Sequence, residues 1–399
     1  MKIIRILFRL IIFLLVAINI YVIVNGDWYF YKVIQHTLLK GRLGPTIDEY
    51  RKDNLGLIAK GTTQAYPLAK DYNIRSVSKE FANYVNDYGT VAFLALRNDS
   101  IVHEEYWNDW TKDSLSNSYS MAKSVVSLLV GCALHDGKIK SLDDAICTYL
   151  PEFNCEVNGK VTIKNLLTMS SGIDFDESYI SPFAFSAEAL YTSDLKTATF
   201  EHKLVGVPGK QFDYQSGNTE LLCLILERVT GKDLASYASE KLWSKMGVEK
   251  DAFWSQDDQQ LARAFCCFIS NARDFARFGS LINHHGKMYE QQLVDSAYVT
   301  EATQANTAML DEDGKPCKKY GYQFWMLEYK GYHIKYYRGI LGQYIITIPE
   351  LNYVAVRLGK QRSKEKIDGH PKDVFLILDE TLSLLAKPTN DHLEQSTGM

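Results

Sequence analysis

The sequence predicts an α+β fold: one antiparallel sheet built from both ends of the chain, flanked by helices, with an inserted all-α subdomain. Two apolar runs, 90–96 and 101–107, are separated only by a short polar turn. Three further segments that alternate and carry β-branched and aromatic residues lie after residue 330. Helical patterns fill the region between these two sets. Strands at both ends of a chain with helices between them favour a single sheet that the chain completes late.

The N-terminal segment differs in composition from the rest of the chain. Three cations precede an apolar run over 10–24 that only Asn19 interrupts. This pattern is typical of a signal peptide or a short membrane anchor, and the lack of an A-x-A cleavage site favours an uncleaved anchor. Apolar residues surround the whole helix circumference, which argues against a buried core helix. Because the cations before a span stay inside, we expect Asp27 onward to lie outside the cytoplasm, in the periplasm or outside the cell.

The remaining patterns follow in chain order. After the anchor or signal peptide over 1–26, a connecting segment over 27–75 shows no clean period, a main domain occupies 76–390, and a polar tail occupies 391–399. Turn residues from Arg97 to Ser100 predict a β-hairpin. The predicted helices are 76–86, 121–134, 163–169, 218–230, 234–245, 272–283 and 374–385. The other predicted strands are 332–337, 343–348 and 353–358.

Composition excludes several classes of function. The chain has 399 residues with 48 acidic and 44 basic side chains and no long basic run, so nucleic acid is not an expected partner. The seven cysteines are too few for a disulfide scaffold, although Cys147 and Cys155 flank a short turn and could pair in an oxidising compartment. The histidine-containing pairs at 103–104 and 284–285 lack the spacing of zinc ligands, so we expect no metal and no cofactor.

A serine and a lysine three residues apart form the first candidate site. Ser120 and Lys123 share a helix face at the start of a long apolar helix, where unpaired N–H groups favour developing negative charge. A lysine in a buried place can accept the proton of a serine. The same spacing also occurs at 76–79, 193–196 and 363–366, but only Ser120 begins such a helix. The alternative interpretation is a polar helix start with a solvated lysine.

Two later motifs lie on predicted loops. Tyr214 and Ser216 follow a Pro-Gly pair and precede a helix, where a phenol can relay protons and a hydroxyl can bind substrate. The alternative is a turn that caps the helix. The run Tyr337-Arg338-Gly339-Ile340 ends a predicted strand, where glycine lets a ligand approach an edge N–H group. The alternative there is a plain glycine-containing hairpin.

Together these motifs resemble the serine β-lactamase and penicillin-binding superfamily, whose order is S-x-x-K, Tyr-x-Asn or Tyr-x-Ser, then a K-T-G-like strand triad. Segments 136–144, 149–153 and 162–172 are similar to its middle segments. The chain looks most like the class C-like esterase branch, especially the 6-aminohexanoate-dimer hydrolases, which carry Tyr-x-Ser. The resemblance implies a β-lactamase/transpeptidase-like fold over about 75–388.

The resemblance also implies roles for individual residues. Ser120 would be the acyl-accepting nucleophile, Lys123 its proton acceptor, and Tyr214 the proton shuttle to the leaving group. Ser216 would assist, and the backbone N–H groups of Ser120 and Ile340, beside Gly339, would form the oxyanion hole. Tyr179 matches a tyrosine that holds the amide substrate in the dimer hydrolases. The triad departs from the family pattern, because Tyr337 replaces its lysine and Arg338 follows.

The sequence therefore predicts a serine hydrolase that acts through an acyl-enzyme on a small-molecule ester or amide, bound to the inner membrane by its N-terminal segment. The first alternative is a D-alanyl-D-alanine carboxypeptidase or a cell-wall muropeptide esterase, which the location favours and the missing triad lysine does not. The second alternative is a non-catalytic binding module of the same fold. Retention of Ser120, Lys123 and Tyr214 argues against it.

Overall fold

The computed structural model describes residues 1–42, 44–48 and 54–386, so the polar tail expected over 391–399 lies outside the described residues. The α-helices are α1 Lys2–Asn25, α2 Tyr29–His36, α3 Lys79–Asp87, α4 Met121–His135, α5 Cys155–Asn158, α6 Ile163–Leu167, α7 Phe185–Tyr191, α8 Leu195–Phe200, α9 Ser216–Thr230, α10 Leu234–Lys241, α11 Ala272–Asn283, α12 Ser296–Ala302 and α13 Lys372–Leu385. The strands are β1 Leu55–Ile58, β2 Thr90–Arg97, β3 Ser100–Tyr106, β4 Ser116–Asn117, β5 Ala252–Ser255, β6 Phe268–Ser270, β7 Lys287–Met288, β8 Gln291–Gln292, β9 Trp325–Tyr329, β10 Tyr332–Gly339, β11 Gln343–Ile348, β12 Tyr353–Gly359, β13 Lys366–Ile367 and β14 His370–Pro371.

The main sheet joins both ends of the chain, as the sequence predicts. Its strand order is β3-β2-β12-β11-β10-β9, and every pair is antiparallel. Residues of β11 are buried on both faces, because α4 and α11 cover one side of the sheet while α3 and α13 pack against β2 on the other. Strands covered on both faces read as apolar runs, which explains the pattern of 90–96. The predicted α+β fold, with one antiparallel sheet built from both ends of the chain, is confirmed.

The first hairpin shows how local chemistry sets the register. Asn98 and Asp99 occupy the left-handed region, with φ of 50° and 54°, and connect β2 to β3. A two-residue turn with both φ values positive matches the twist of the flanking strands, and Asn and Asp tolerate that conformation. The predicted hairpin is therefore confirmed, with β3 beginning at Ser100.

The inserted region between β3 and β9 is mainly helical, but it is not all-α. It contributes three strands to a small sheet with the order β1-β5-β6-β4. These strands have two to four residues each, too few for an alternating pattern to stand out. Strand β1 comes from the segment expected only to connect, and it pairs with β5. This small sheet, like β9, is a feature that the sequence analysis missed.

Helix boundaries follow their capping residues. Helix α11 has the predicted bounds, and the Asn271 side chain accepts a hydrogen bond from the Asp274 N–H at its start. Helix α3 begins three residues later than predicted because Ser78 is its N-cap and accepts from the Phe81 N–H. The predicted helix 234–245 ends as α10 at Lys241, followed by a 3-10 turn.

Helix α1 is the N-terminal apolar segment. Among the described residues it is long and apolar enough to cross a membrane, a test that a signal sequence near the N-terminus passes equally. Its side chains are exposed apart from a few near its C-terminal end, such as Val22, which is fully buried. A left-handed Gly26 ends the helix, and α2 follows and packs on α7.

Cysteines form two pairs in the structure. Cys147 and Cys155 are joined by a disulfide across the short turn, with their Cα atoms 5.7 Å apart. The neighbours Cys266 and Cys267 form a second disulfide. Cys132, Cys223 and Cys317 are free and buried, in keeping with an odd count.

Candidate active site

Ser120 lies at the start of α4, where the preceding backbone is held in an unusual conformation. Tyr119 has a φ of 44°, in the left-handed region that non-glycine residues rarely adopt. The Asn117 side chain accepts a hydrogen bond from the Tyr119 N–H at 2.8 Å, and the Ser118 N–H donates to the Phe268 carbonyl at 2.8 Å. The small sheet therefore fixes the turn that presents Ser120 at the surface of a cleft.

Lys123 lies one helical turn further on, and only 1% of it is exposed. Its Nζ donates to Ser120 Oγ at 3.0 Å, to Ser216 Oγ at 3.1 Å and to the Phe265 carbonyl at 2.9 Å. A buried amine needs acceptors to offset the loss of water, and these three provide them. The distance to Ser120 Oγ is short enough for a proton to pass from the hydroxyl to the amine.

Tyr214 and Ser216 lie on the other side of the cleft, at the start of α9. Ser216 is the first residue of that helix. The Tyr214 ring centre is 5.0 Å from Lys123 Nζ, and the ring packs on Trp325 with the two centres 5.5 Å apart. The structure thus brings the first two motifs together around one amine, although they are almost a hundred residues apart.

Glu177 is a part of this cluster that the sequence analysis did not single out. Its carboxylate accepts from the Ser216 N–H at 2.6 Å, from Ser216 Oγ at 2.7 Å and from the Tyr179 hydroxyl at 2.6 Å. A carboxylate at the start of α9 also interacts favourably with the helix dipole. Hydrogen bonds therefore connect Ser120, Lys123, Ser216, Glu177 and Tyr179 in one chain. The position of Glu177 two residues before Tyr179 was the only sequence signal.

A glycine allows the Glu177 loop to approach α9. A Cβ atom on Gly217 would lie 2.3 Å from the ring of Phe175, so only glycine permits this packing. The Gln215 side chain adds hydrogen bonds to the carbonyls of Ile173 and Phe175, at 2.9 and 3.1 Å. These contacts bind segment 173–175 to the start of α9, and Glu177 follows this segment two residues later in the chain.

The end of β10 closes the third side of the site. Gly339 lies so close to the turn before Ser120 that a Cβ atom there would be 2.3 Å from the Ser118 carbonyl oxygen. The glycine is therefore needed for backbone packing rather than for approach of a ligand, which was the reason expected from sequence. Ile340 follows it. Within the described residues, we find no hydrogen bond donated by the N–H group of Ile340 or Ser120, so both are available to an oxyanion.

The strand triad divides its side chains between the core and the cleft. Tyr337, in the place of the family's lysine, is buried and donates to the Phe278 carbonyl at 3.2 Å. Arg338 is half-buried and its guanidinium lies 3.2 Å from the ring centre of Trp325. The side chain of the triad that lines the cleft is therefore an arginine instead of a lysine.

The cleft has two lobes that meet at Ser120. The apolar lobe, a cavity of about 900 Å³, extends from Ser120 past Tyr179 and Leu190 to Val33 of α2. The polar lobe, about 380 Å³, extends from Ser120 past Tyr214 and is lined by charged side chains. Tyr179, Arg338 and Ile340 line both lobes. A concave site with a serine hydroxyl at the junction can bind a ligand on both sides of that hydroxyl.

The histidine pairs have other partners. His284 Nε2 lies 2.6 Å from an Asp99 carboxylate oxygen, and Glu104 forms an ion pair with Arg273 at 2.8 Å. Across residues 1–42, 44–48 and 54–386, no group of three or more His, Cys, Asp or Glu side chains is arranged to hold a metal ion.

This fold and this cluster agree with the comparisons with known proteins. The Beta-lactamase family model matches residues 77–374, and the chain therefore belongs to the β-lactamase family. Its sequence is 25% identical over 364 residues to the 6-aminohexanoate-dimer hydrolase of Paenarthrobacter ureafaciens, covering 86% of this chain and 89% of that protein. The family and the branch that the motifs indicated are thus confirmed.

Two further relatives were found, one by sequence and one by structure. The chain is 27% identical over 195 residues to the "Putative D-alanyl-D-alanine carboxypeptidase" of Escherichia coli, covering 42% of this chain and 43% of that protein. The solved structure of a "Putative 6-aminohexanoate-dimer hydrolase from Bacillus anthracis" superposes with a TM-score of 0.71 at 22% identity, covering 86% of this chain and 91% of that one. This likeness confirms the fold, and the relatives together identify the chain as a β-lactamase-family hydrolase.

Proposed function

We propose that the protein is a serine hydrolase that cleaves an ester or amide through an acyl-enzyme on Ser120. The observation that carries the proposal is the contact of 3.0 Å between Lys123 Nζ and Ser120 Oγ at the start of a buried helix. The 6-aminohexanoate-dimer hydrolase relative supports an amide or a related ester as substrate.

Each side chain then has a part in the reaction. Lys123 accepts the Ser120 proton as the hydroxyl oxygen attacks the substrate carbonyl. The N–H groups of Ser120 and Ile340 stabilise the resulting oxyanion, because neither donates elsewhere in the described chain. Tyr214, against Lys123, passes a proton to the leaving group and later takes one from the water that releases the acyl group. Glu177 and Ser216 hold the amine in place.

The proposal includes a location for the enzyme. Helix α1 would anchor it in the inner membrane, with the catalytic domain in the periplasm or outside the cell. The Cys147–Cys155 disulfide supports this location, because such bonds persist in oxidising compartments.

A covalent probe tests the catalytic step. Full-length protein is treated with a fluorophosphonate, and the mass of one adduct is sought by intact-protein mass spectrometry. Labelling is expected in wild type and lost in Ser120→Ala. The matched control is Ser193→Ala, which removes an exposed serine of identical spacing to a lysine and is expected to label as wild type does. A folded wild type that takes no label, or a Ser120→Ala variant that does, would refute the proposal.

A D-alanyl-D-alanine carboxypeptidase is the second candidate, favoured by the Escherichia coli relative. Release of D-alanine from a peptidoglycan stem pentapeptide, dependent on Ser120, would establish it. Hydrolysis of simple esters or amides without D-alanine release would favour the first candidate.

A further inference from the structure

The apolar lobe is partly built by the segment that directly follows α1. Val33 of α2, Thr37 and Leu38 line it together with Ile180 and Leu190. Val33, Thr37 and Leu38 lie upstream of the catalytic domain that the motifs define, so their side of the lobe is an addition to the basic site. An apolar chain of a substrate that reaches past Ser120 would contact them.

Helix α2 is held firmly in this position. Phe30 stacks on Phe183 with the ring centres 5.1 Å apart, and Tyr21 of α1 meets the same ring at 5.0 Å. Lys32 forms an ion pair with Asp258 at 3.2 Å. Because α2 has contacts on two sides, its position is fixed, and the residues that it contributes to the lobe are fixed with it.

The mouth of the apolar lobe lies close to the end of α1. Three residues separate α1 from α2, and such a connection spans at most about 14 Å. Exposed apolar side chains lie on this connection and beside the lobe: Trp28 is 60% exposed, Leu39, next to Leu38, is 76% exposed, and Ile180, which lines the lobe, is 95% exposed. Exposed apolar clusters mark contact surfaces, and tryptophan prefers the membrane interface. If α1 spans a membrane, the exposed side chains of Trp28, Leu39 and Ile180 lie at the surface of that membrane.

The polar lobe is lined by four cations and three carboxylates, and two of those carboxylates, Glu177 and Asp213, accept hydrogen bonds from Ser216 and Gln215. Arg338, Arg362 and Lys366 lie where the two lobes meet and line both, and none of them pairs with a carboxylate in the part of the chain that the structure describes. By contrast, Lys319 in the same lobe pairs with Glu312. Unpaired guanidinium groups at a binding cleft recognise carboxylate, sulfonate or phosphate groups.

We propose that the substrate is an anionic amphiphile taken from the membrane surface, with its acyl chain in the apolar lobe and its anionic group in the polar lobe. This substrate class rests on the proposed serine hydrolase. The acyl carbon is transferred to Ser120 Oγ while the bond to the leaving oxygen or nitrogen breaks, and that atom takes the serine proton. Water then releases the chain as a carboxylic acid and restores the hydroxyl.

The acyl chain is tested with 4-nitrophenyl acetate and 4-nitrophenyl octanoate on full-length protein in phosphatidylcholine nanodiscs. Each methylene group that is fully buried multiplies kcat/KM by about fourfold, so even partial burial predicts at least tenfold preference for octanoate. Leu38→Asp is expected to lower kcat/KM for octanoate about tenfold relative to kcat/KM for acetate. Leu57→Asp is the matched control, since Leu57 is as exposed as Leu38, 53% against 57%, and lies away from the apolar lobe.

The anionic group is tested with 4-octanoyloxybenzenesulfonate, which shares its acyl chain with the neutral octanoate. Arg362→Gln is expected to lower kcat/KM about tenfold for the sulfonate and less than threefold for the neutral ester. Equal effects of Arg362→Gln on kcat/KM for the two esters, or no preference of wild type for octanoate over acetate, would overturn the proposal that the substrate is an anionic amphiphile. In that case, hydrolysis of acetate that depends on Ser120 would leave the serine hydrolase intact, whereas a lack of all hydrolysis and of fluorophosphonate labelling would remove both.

Discussion

Replacing Gly339 by alanine tests the contribution of the proposed oxyanion hole to the reaction rate separately from that of the other groups in the site. The added Cβ atom would lie 2.3 Å from the Ser118 carbonyl oxygen, whereas real Cβ contacts are essentially never below 3.0 Å. The end of β10 must therefore retreat by about 0.7 Å or more, and the Ile340 N–H moves with it. Loss of one oxyanion donor costs about 10²-fold to 10³-fold in rate. We expect kcat/KM of Gly339→Ala to fall by about 100-fold, which corresponds to about 2.7 kcal/mol.

The assay is hydrolysis of 4-nitrophenyl acetate, measured together with thermal unfolding. Gly61→Ala is the control, because its Cβ would lie 2.0 Å from the Ser244 carbonyl, a similar clash with backbone beside the small sheet. Overpacking should lower the free energy of unfolding by about 1–3 kcal/mol in both variants, but only Gly339→Ala should show a lower kcat/KM for 4-nitrophenyl acetate. Full activity in Gly339→Ala, or an equal loss in Gly61→Ala, would show that β10 does not position an oxyanion donor.

Two further predictions concern buried polar groups. Glu177→Gln leaves one of the three donors around that carboxylate without an acceptor and removes the negative charge at the start of α9, so kcat/KM should fall about tenfold to 100-fold. Glu156→Gln, outside the cluster, should have no effect on kcat/KM. An unchanged kcat/KM in Glu177→Gln would contradict the role of that carboxylate. Burial, with Arg338 and Lys319 nearby, lowers the pKa of His370 to about 3, so the unfolded state binds more protons between pH 3 and 6.5. The free energy of unfolding from urea titration should therefore drop by about 2 kcal/mol between pH 7 and pH 5 through this group, and His370→Gln should show that much less of a drop. An identical pH dependence in both proteins would contradict the assignment.

Much of the fold and the contact between Ser120 and Lys123 could be predicted because the signals are local. Ser120 and Lys123 are separated by one helical turn, so their proximity follows from helix geometry. Strands β11 and β12 carry clear β-forming residues around a turn, and their bounds agree with the prediction almost to the residue. The pairing of the first strands with the last follows from the architecture rather than from any single residue.

The missing parts of the site depend on tertiary contacts that leave no local pattern. The Phe265 carbonyl that binds Lys123 is a backbone group, and any residue could supply it. Glu177 reaches Ser216 only because a loop packs on Gly217. The small sheet orients Tyr119 through strands too short to show alternation. These features become visible only once distant segments are placed side by side.

The pairing of β2 with β12 also constrains how the chain can mature. Thr90 is paired with Gly359, so β2 has no partner on that side until nearly the whole chain has been made. Residues 90–96 are then an apolar segment with an open edge, the kind of stretch that aggregates if it waits exposed. Closure of such a long loop is slow even though its entropic cost grows only with the logarithm of length. The first strands of the main sheet can therefore be completed only after the last third of the chain has been made.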